Sequence, residues 1–445
     1  MSFWGQRPKN LVEFDVKILL RHLVDQDDNT WQIRMIGRRE RLLTLLFILF
    51  KIYYTIFTMI KSIKDVDLLG KRILMRVDFN MEFNQDGKIL DTFRIDSLEA
   101  TFDYILGQGG RLILISHLGD PQEVKEEFSL KKLGYYFKDH FKKYNFKFLG
   151  DVEDHNILVA IDKLRDGEIG FLENLRFHPE EKLNDDNFSK KLASLGDLYV
   201  NEAFSVSHRP HASIVGITKY LPSYAGLLFD QEVKTLKESL LYQRRPLAVI
   251  LGGSKISSKF HFIKYFLGVA DQVILGGGLA NAFLRARGLN IGDSVINGHD
   301  LEIDQSLLYN PRLYLPVDVL VVKNDQSDEV SCRLIEQVEN GDIIYDIGPK
   351  TVELFSEIIE ESGQIIWNGP MGLLEDSRFT QGTLGVAQAI AESLPYSIIG
   401  GGETAMALHK FGLSDKINYI STGGGATLEF LSGQELPGIK ALENN

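Results

Sequence analysis

The sequence predicts an α/β protein of two lobes, each a parallel sheet flanked by helices, with one helix joining them. Three observations predict it. From Lys71 onward, short apolar runs alternate with amphipathic stretches of helical spacing, the pattern of repeated βα units. The runs are short and continuously apolar rather than alternating, which suits strands buried on both faces of a parallel sheet. Between two such arrays lies AGLLFDQEVKTLKESLLY (225–242), whose Leu228, Val233, Leu236, Leu240 and Leu241 mark one apolar helix face.

Composition narrows the function. The chain has 445 residues, enough for two or three domains, and 44% apolar with 25% charged residues is ordinary for a globular protein. A net charge of −12 argues against general nucleic-acid binding, which needs a basic face. An anionic substrate would therefore need a local cationic pocket. Cys332 is the only cysteine, which excludes an internal disulfide or a thiolate zinc site and fits a reducing compartment, the cytosol.

The first 58 residues differ from the rest, with nine Lys/Arg against six Asp/Glu and so a net +3. Arg34, Arg38, Arg39 and Arg41 precede an apolar run from Leu42 to Ile60 that only Lys51 interrupts. Three readings compete: a membrane anchor just long enough to span a bilayer, a helical appendage, or sequence translated upstream of the true start. Lys51 would oppose insertion by about 2.5–3.5 kcal/mol. Ordinary amphipathic patterning resumes at Met59 (MIKSIKDVDLLGKR), which favours the third reading.

In the first array, strands are expected over 72–79, 111–116, 169–172 and 197–204, with helices over 96–106 and 130–144 and a further short strand and turn in KFLGDVEDHNIL. The residues just past each strand carry the chemistry. Asp78 and Asn80 come after the first, with Arg94 opening the next helix. His117 and Gly119 come after the second, Glu173, Asn174 and Arg176 after the third, and Ser207, His208, Arg209 and His211 after the fourth. Ligands of open parallel sheets bind beyond the carboxyl ends of the strands. Three arginines and several histidines converging there make a site for a small, multiply anionic molecule.

In the second array, glycine takes the place of arginine. LAVILGGSKISSK (247–259) is a strand, a glycine turn and then Lys255 and Lys259 at i, i+4, one cationic face of a helix that starts there. It reads either as a phosphate cradle or as an ordinary strand-to-helix turn, and it is not a Walker A loop. QVILGGG (272–278), SIIGGGE (397–403) and NYISTGGG (418–425) also end apolar runs in glycine clusters, while QIIWNGPMG (364–372) ends in Asn-Gly-Pro. Backbone amides at these turns suit the phosphates of a nucleotide. GGGETA (400–405) also fits G-x-G-x-x-A, so a dinucleotide-binding dehydrogenase is the rival reading. It lacks the acidic residue expected after a later strand.

RVDFN, DTFRI, LISHLGDP, FLENLRFHPEE, YVNEAFSVSHRPHASIVG, AVILGGSKISSK, VILGGGLANAFL, LPVDVLV, DIGPKT, WNGPMGLLE, SIIGGGETA and ISTGGGATLEFLSGQELPG occur in this order. Together they resemble the phosphoglycerate kinase family over roughly Ile60 to Leu442. The resemblance implies two Rossmann-like lobes on a hinge helix: an extension over 1–58, a phosphoglycerate-binding lobe over 59–224, the connector over 225–243, a nucleotide-binding lobe over 244–430, and a tail over 431–445 returning to the first lobe. It also implies a cytosolic monomer, associated with a membrane only if Leu42–Ile60 is a real anchor, that transfers a phosphoryl group reversibly from 1,3-bisphosphoglycerate to MgADP, giving 3-phosphoglycerate and ATP.

Residue by residue, the resemblance places Asp78, Asn80 and His117 on the glycerate, and Arg176 and Arg209 on the phosphate that stays. Arg94 and Lys255 are placed on the moving phosphoryl group, and Lys259 on the nucleotide phosphates. Gly277 and Gly348 fall in the base pocket, Asn368 beside the phosphates, and Glu375 on the ribose. Gly401, Gly402 and Thr404 belong to the phosphate region, Gly402 also among the catalytic groups, and Glu403 to Mg²⁺.

Two departures bear on activity. The family's HLGRP is HLGDP here, so Asp120 replaces a base. Such a contact at ~4 Å changes from attraction to repulsion of about 4 kcal/mol each way at an effective dielectric of ~20. Either Asp120 turns away or triose binding weakens. Glu403 stands for the family's aspartate, one methylene longer, beside a cation strict about geometry. Smaller changes are Met81-Glu82, Ser205-Val206 and a shortened loop over 297–311. A catalytically impaired homologue kept as a binding or membrane-tethered protein is the alternative that Asp120 and the N-terminal run raise.

Overall fold

The computed structural model describes residues 60–81, 83, 89, 92–165, 167–296, 303–323 and 329–445. The extension and its apolar run up to Met59, Glu82, and the stretch 297–302 within the shortened loop lie outside these residues. No helix among the described residues is long and apolar enough to cross a membrane.

The first lobe is built on β1 (Arg72–Arg76), β2 (Arg111–Ile115), β3 (Asn145–Gly150), β4 (Glu168–Leu172), β5 (Leu198–Asn201) and β6 (Ser223–Ala225). They form one sheet in the order β3-β4-β2-β1-β5-β6, and every pairing is parallel. β1 pairs with β2 and β5 so that Arg76 lies level with Ile115 and Asn201. The segments after these three strands therefore emerge at one edge. The strands are shorter than the apolar runs suggested, because Val77 to Asn80 and Glu202 to Phe204 leave the ladder to build the site. The helix expected over 96–106 is two helices, Phe93–Asp96 and Glu99–Gly107. On one face of the sheet Phe102, Phe137, Phe141, Tyr144, Phe146 and Phe171 interlock, the Phe137 and Phe146 rings 4.6 Å apart.

The connecting helix runs Leu227–Leu241. Its predicted first residue, Ala225, belongs instead to β6.

The second lobe has β7 (Leu247–Leu251), β8 (Gln272–Leu275), β9 (Leu313–Tyr314), β13 (Gln364–Asn368), β14 (Tyr396–Gly400) and β15 (Tyr419–Ile420), in the order β15-β14-β13-β7-β8-β9. Again all pairings are parallel. Beside this sheet lies a separate one that the sequence pattern did not distinguish. β10 (Asp318–Val322) pairs antiparallel with β11 (Ser331–Leu334) and β12 (Ile343–Ile347). Antiparallel neighbours need only short connections, whereas parallel ones need a crossover. The stretch 323–330, which joins β10 to β11, is too short for a crossover helix. The final helix, Pro437–Glu443, returns to β6: Asn445 Nδ2 reaches the Leu221 carbonyl at 3.2 Å, and Gly438 N donates to Ser207 O at 2.8 Å.

Candidate active site

At the first lobe's strand ends the charged groups are mostly buried and mutually arranged. Asp78 is 8% exposed. It accepts from Asn80 N at 3.0 Å and from the Ser205 hydroxyl, and it pairs with Arg94 Nη1 at 3.1 Å. Burial alone would raise its pKa, but the Arg94 charge with these hydrogen bonds holds it well below the carboxylate range. Arg94 Nη1 also donates to Asn80 O at 3.0 Å, while Asn80 Oδ1 accepts from Gly119 N at 2.8 Å. One ring of contacts thus joins the loops after β1 and β2.

Arg76, the last residue of β1, was not singled out from sequence. It is fully buried, and its guanidinium meets Ser213 Oγ at 2.9 Å and His117 Nδ1 at 3.0 Å. A guanidinium only donates, so His117 Nδ1 accepts and its ring proton sits on Nε2. Burial, followed by the Arg76 charge, pushes the His117 pKa well down and keeps the ring neutral.

Arg176 is 7% exposed, and its Nε and Nη2 have no hydrogen-bond partner among the described residues; Nη1 donates to Gly119 O. Burial first, then the neighbouring Arg209 and Arg76 charges, lower its pKa to about 10. Two buried cationic donors left open beside a second arginine have the chemistry to accept an anion. Arg209 is exposed, with His208 Nε2 at 3.1 Å from its Nε. His208 and His211 are pushed down to about 4 and about 3, by burial above all. Both imidazoles are neutral near pH 7 and act as shape and hydrogen-bonding groups. Asp120 has turned towards Lys182, whose Nζ stands 3.0 and 3.1 Å from its two carboxylate oxygens. Sequence reasoning missed Lys182, because 62 positions separate the two.

In the second lobe a cavity of about 560 Å³ opens where the glycine turns converge. Gly277, Glu375 and Glu403 are on its wall, joined by Asn281, Lys323 and Tyr345, which sequence reasoning had not selected. Gly252 packs so closely that an added Cβ would stand 2.0 Å from Pro370 O. Only glycine lets the turns after β7 and β13 touch. Lys255 is the residue before the helix Ile256–Val269 rather than within it, and is exposed. Lys259, one turn in, folds back to donate to Gly252 O at 2.7 Å and Asn368 O at 3.4 Å. The two lysines therefore do not share a helix face. Burial lowers the Lys259 pKa to about 8, against the opposing Glu403 charge.

Asn368 is buried, with Nδ2 at 3.4 Å from Gly424 O. Thr404 is fully buried, and its hydroxyl accepts from Gly369 N at 2.9 Å, so its side chain braces the wall from behind. Gly348 likewise backs onto the Asp318 carboxylate, which accepts from Lys350 N at 3.1 Å and Thr351 N at 2.7 Å. An added Cβ at Gly348 would meet that carboxylate at 2.3 Å. Gly401 adopts φ 103° before the helix Gly402–Lys410, and Glu403 is exposed in its first turn.

The lobes meet at Arg94. A Cβ added to Gly402 or Gly424 would stand 3.9 Å from Arg94 Nη2. A void of about 10 Å³ lies among Asp78, Arg94, Ser205 and, from the other lobe, Thr422. The arginine cluster and the glycine-walled cavity thus sit on two lobes, with an arginine of the first against the amide-rich turns of the second.

A family model described as phosphoglycerate kinase matches residues 63–434. The chain is 43% identical over 394 residues to the phosphoglycerate kinase of Clostridium kluyveri, covering 86% of this chain and 98% of that protein. It is 42% identical over 392 residues to that of Dictyoglomus turgidum, with the same coverage. Among solved structures, the phosphoglycerate kinase of Pyrococcus horikoshii OT3 superposes with a TM-score of 0.77 at 30% identity, over 86% of this chain and 98% of that one. That of Coxiella burnetii gives 0.69 at 35%, over 87% and 99%. Fold and sequence agree: the chain belongs to the phosphoglycerate kinase family.

Proposed function

We propose that the first lobe binds 3-phosphoglycerate or 1,3-bisphosphoglycerate and the second binds ATP or ADP, with phosphoryl transfer where Arg94 meets the second lobe's turns. The observation that carries this is Arg176, buried with two open donors at the strand ends. A phosphate or carboxylate satisfies such a fork, and an apolar ligand would leave it unpaired. Arg176 and Arg209 hold the phosphate that is not transferred. Asp78, Asn80 and the Nε2–H of His117 orient the glycerate.

The carboxylate oxygen of 3-phosphoglycerate attacks the terminal phosphorus of ATP, the bond to the bridging oxygen breaks, and ADP leaves; the reverse reaction makes ATP. Such a transfer needs positioning and positive charge rather than a protein nucleophile. Arg94, Lys255 and the amides at Gly401 and Gly402 supply that charge, with Lys259 on the nucleotide side. Asp78 holds Arg94 before substrate arrives.

The donor set fits Mg²⁺ bound together with a nucleotide. Glu403 is an exposed carboxylate on the cavity wall, and no cluster of three metal-ligating side chains occurs among the described residues. A cation that keeps several waters and takes one carboxylate plus phosphate oxygens requires no more. When bound it neutralises charge on the transferring phosphates.

The test is a coupled assay with 3-phosphoglycerate and MgATP. Turnover is expected, with Arg94→Ala reducing kcat by about 10³-fold or more, as for arginines at phosphoryl-transfer centres. Wild-type turnover no higher than that variant's would overturn the enzyme reading in favour of an impaired homologue. Calorimetry with ADP and with NAD separates the dehydrogenase reading, since ADP alone is expected to bind. We further propose a cytosolic monomer beginning near Met59, checked by light scattering and N-terminal peptide mapping of the native protein.

A further inference from the structure

The pair formed by Asp120 and Lys182 stands beside the anion receptor without being part of the chemistry. Arg176 Nη1 binds the carbonyl of Gly119, the residue before Asp120, and Gly119 turns the chain there with φ 64°. The same segment carries Arg176 and, six positions on, Lys182, in the short helix Pro179–Leu183. Asp120 therefore follows directly on the carbonyl that one arm of Arg176 holds, while the other two donors of that arginine stay open. Its side chain is about half exposed, as is that of Lys182. The Lys182 contact holds its carboxyl below the ordinary range, and the fields of Arg176 and Arg209 add to this.

We propose that Asp120 is an internal competitor for the Arg176–Arg209 phosphate site and that Lys182 restrains it, so that the pair sets the affinity for the triose phosphate. A carboxylate near enough to feel the charges of Arg176 and Arg209 competes with an incoming phosphate for the same cations. Lys182 draws it aside. This rests on the reading of the first lobe as the phosphoglycerate site, and the experiment separates the two.

KM for 3-phosphoglycerate and KM for ATP are measured for wild type, Asp120→Asn, Lys182→Met and the double variant, with calorimetry of 3-phosphoglycerate alone and thermal unfolding as a check on folding. Asp120→Asn should lower KM for 3-phosphoglycerate about two- to five-fold, and Lys182→Met should raise it by a similar factor, the scale of an exposed ion pair. KM for ATP should not move. In the Asp120→Asn background, Lys182→Met should have little effect, because nothing is left to restrain. An equal effect of Lys182→Met in both backgrounds would assign Lys182 to the phosphate directly and overturn the proposal. So would an unchanged or raised KM in Asp120→Asn. Absence of wild-type turnover and of 3-phosphoglycerate binding would instead remove the functional reading beneath it.

Discussion

Lys259 shows how much a single residue's placement decides. Its ammonium is drawn off the helix into the wall between Gly252 and Asn368, and burial brings its pKa to about 8. The free enzyme therefore loses this cation across the mildly alkaline range. We predict that kcat/KM for the nucleotide falls as pH rises past about 8, since this ratio reports free-enzyme ionisations. Lys259→Arg should remove that limb, and a wild-type profile flat from pH 7 to 9.5 would contradict it. Stability moves the other way. A lysine whose folded pKa lies below its unfolded value leaves the folded state with fewer protons between the two. Its contribution therefore rises with pH from about 8 to about 10.5. Opposite slopes for activity and stability identify the residue. The residue scale also accounts for what was illegible in the sequence. Arg76 reads as a strand residue until Ser213 and His117, 137 and 41 positions away, are folded against it. Thr404 carries a motif match but spends its hydroxyl on Gly369.

The element that ties the two lobes is the helix Leu227–Leu241. Its residue before the first turn is Gly226, which offers no side-chain cap. Glu202, just past β5, does that work, accepting from Leu228 N at 3.0 Å and Phe229 N at 2.9 Å. An acidic group at a helix N-terminus is favourable, and a missing cap typically costs about 1 kcal/mol. Further along the same helix, Glu232 accepts from Thr422 N at 2.6 Å and Ser421 Oγ at 2.8 Å, the loop that leads to Gly424. One end of the helix is thus fixed to the first sheet and its middle to the second lobe's glycine turn. Glu202→Ala, which leaves two helix amides and the Thr101 hydroxyl without their acceptor, should destabilise the protein by about 1–3 kcal/mol in denaturant unfolding. Glu202→Gln should cost less, because one acceptor oxygen remains. Equal losses would mean that the charge, not the cap, matters. The sequence showed this helix by its periodicity, but no local rule names a cap that comes from another strand.

At the scale of the molecule, the proposed site is divided between the two lobes. The transferred group is labile to water, so the half-sites are useful only when they close together. Small-angle scattering should show a smaller radius of gyration with 3-phosphoglycerate and a non-hydrolysable ATP analogue together than with either alone. A ternary complex no more compact than the binary ones would count against closure as the source of water exclusion. The main sheets were legible because parallel strands, buried on both faces, leave continuous apolar runs, and because their functional groups come immediately after them. The antiparallel sheet of β10, β11 and β12 was less so, since it shares composition with its neighbours and differs only in how the chain returns.

By itself, the sequence determined the alternation of strands and helices, the order of the glycine and arginine turns, and the family to which they belong. These are properties of near neighbours along the chain, set by periodicity and by the residue types that a turn tolerates. Only the tertiary structure decided that Asp120 faces Lys182, that Arg176 stays buried with donors to spare, and that Arg94 approaches Gly402 and Gly424. Charge, burial and reach at those places depend on groups tens to hundreds of positions away. Packing fixes them, and no local pattern records it.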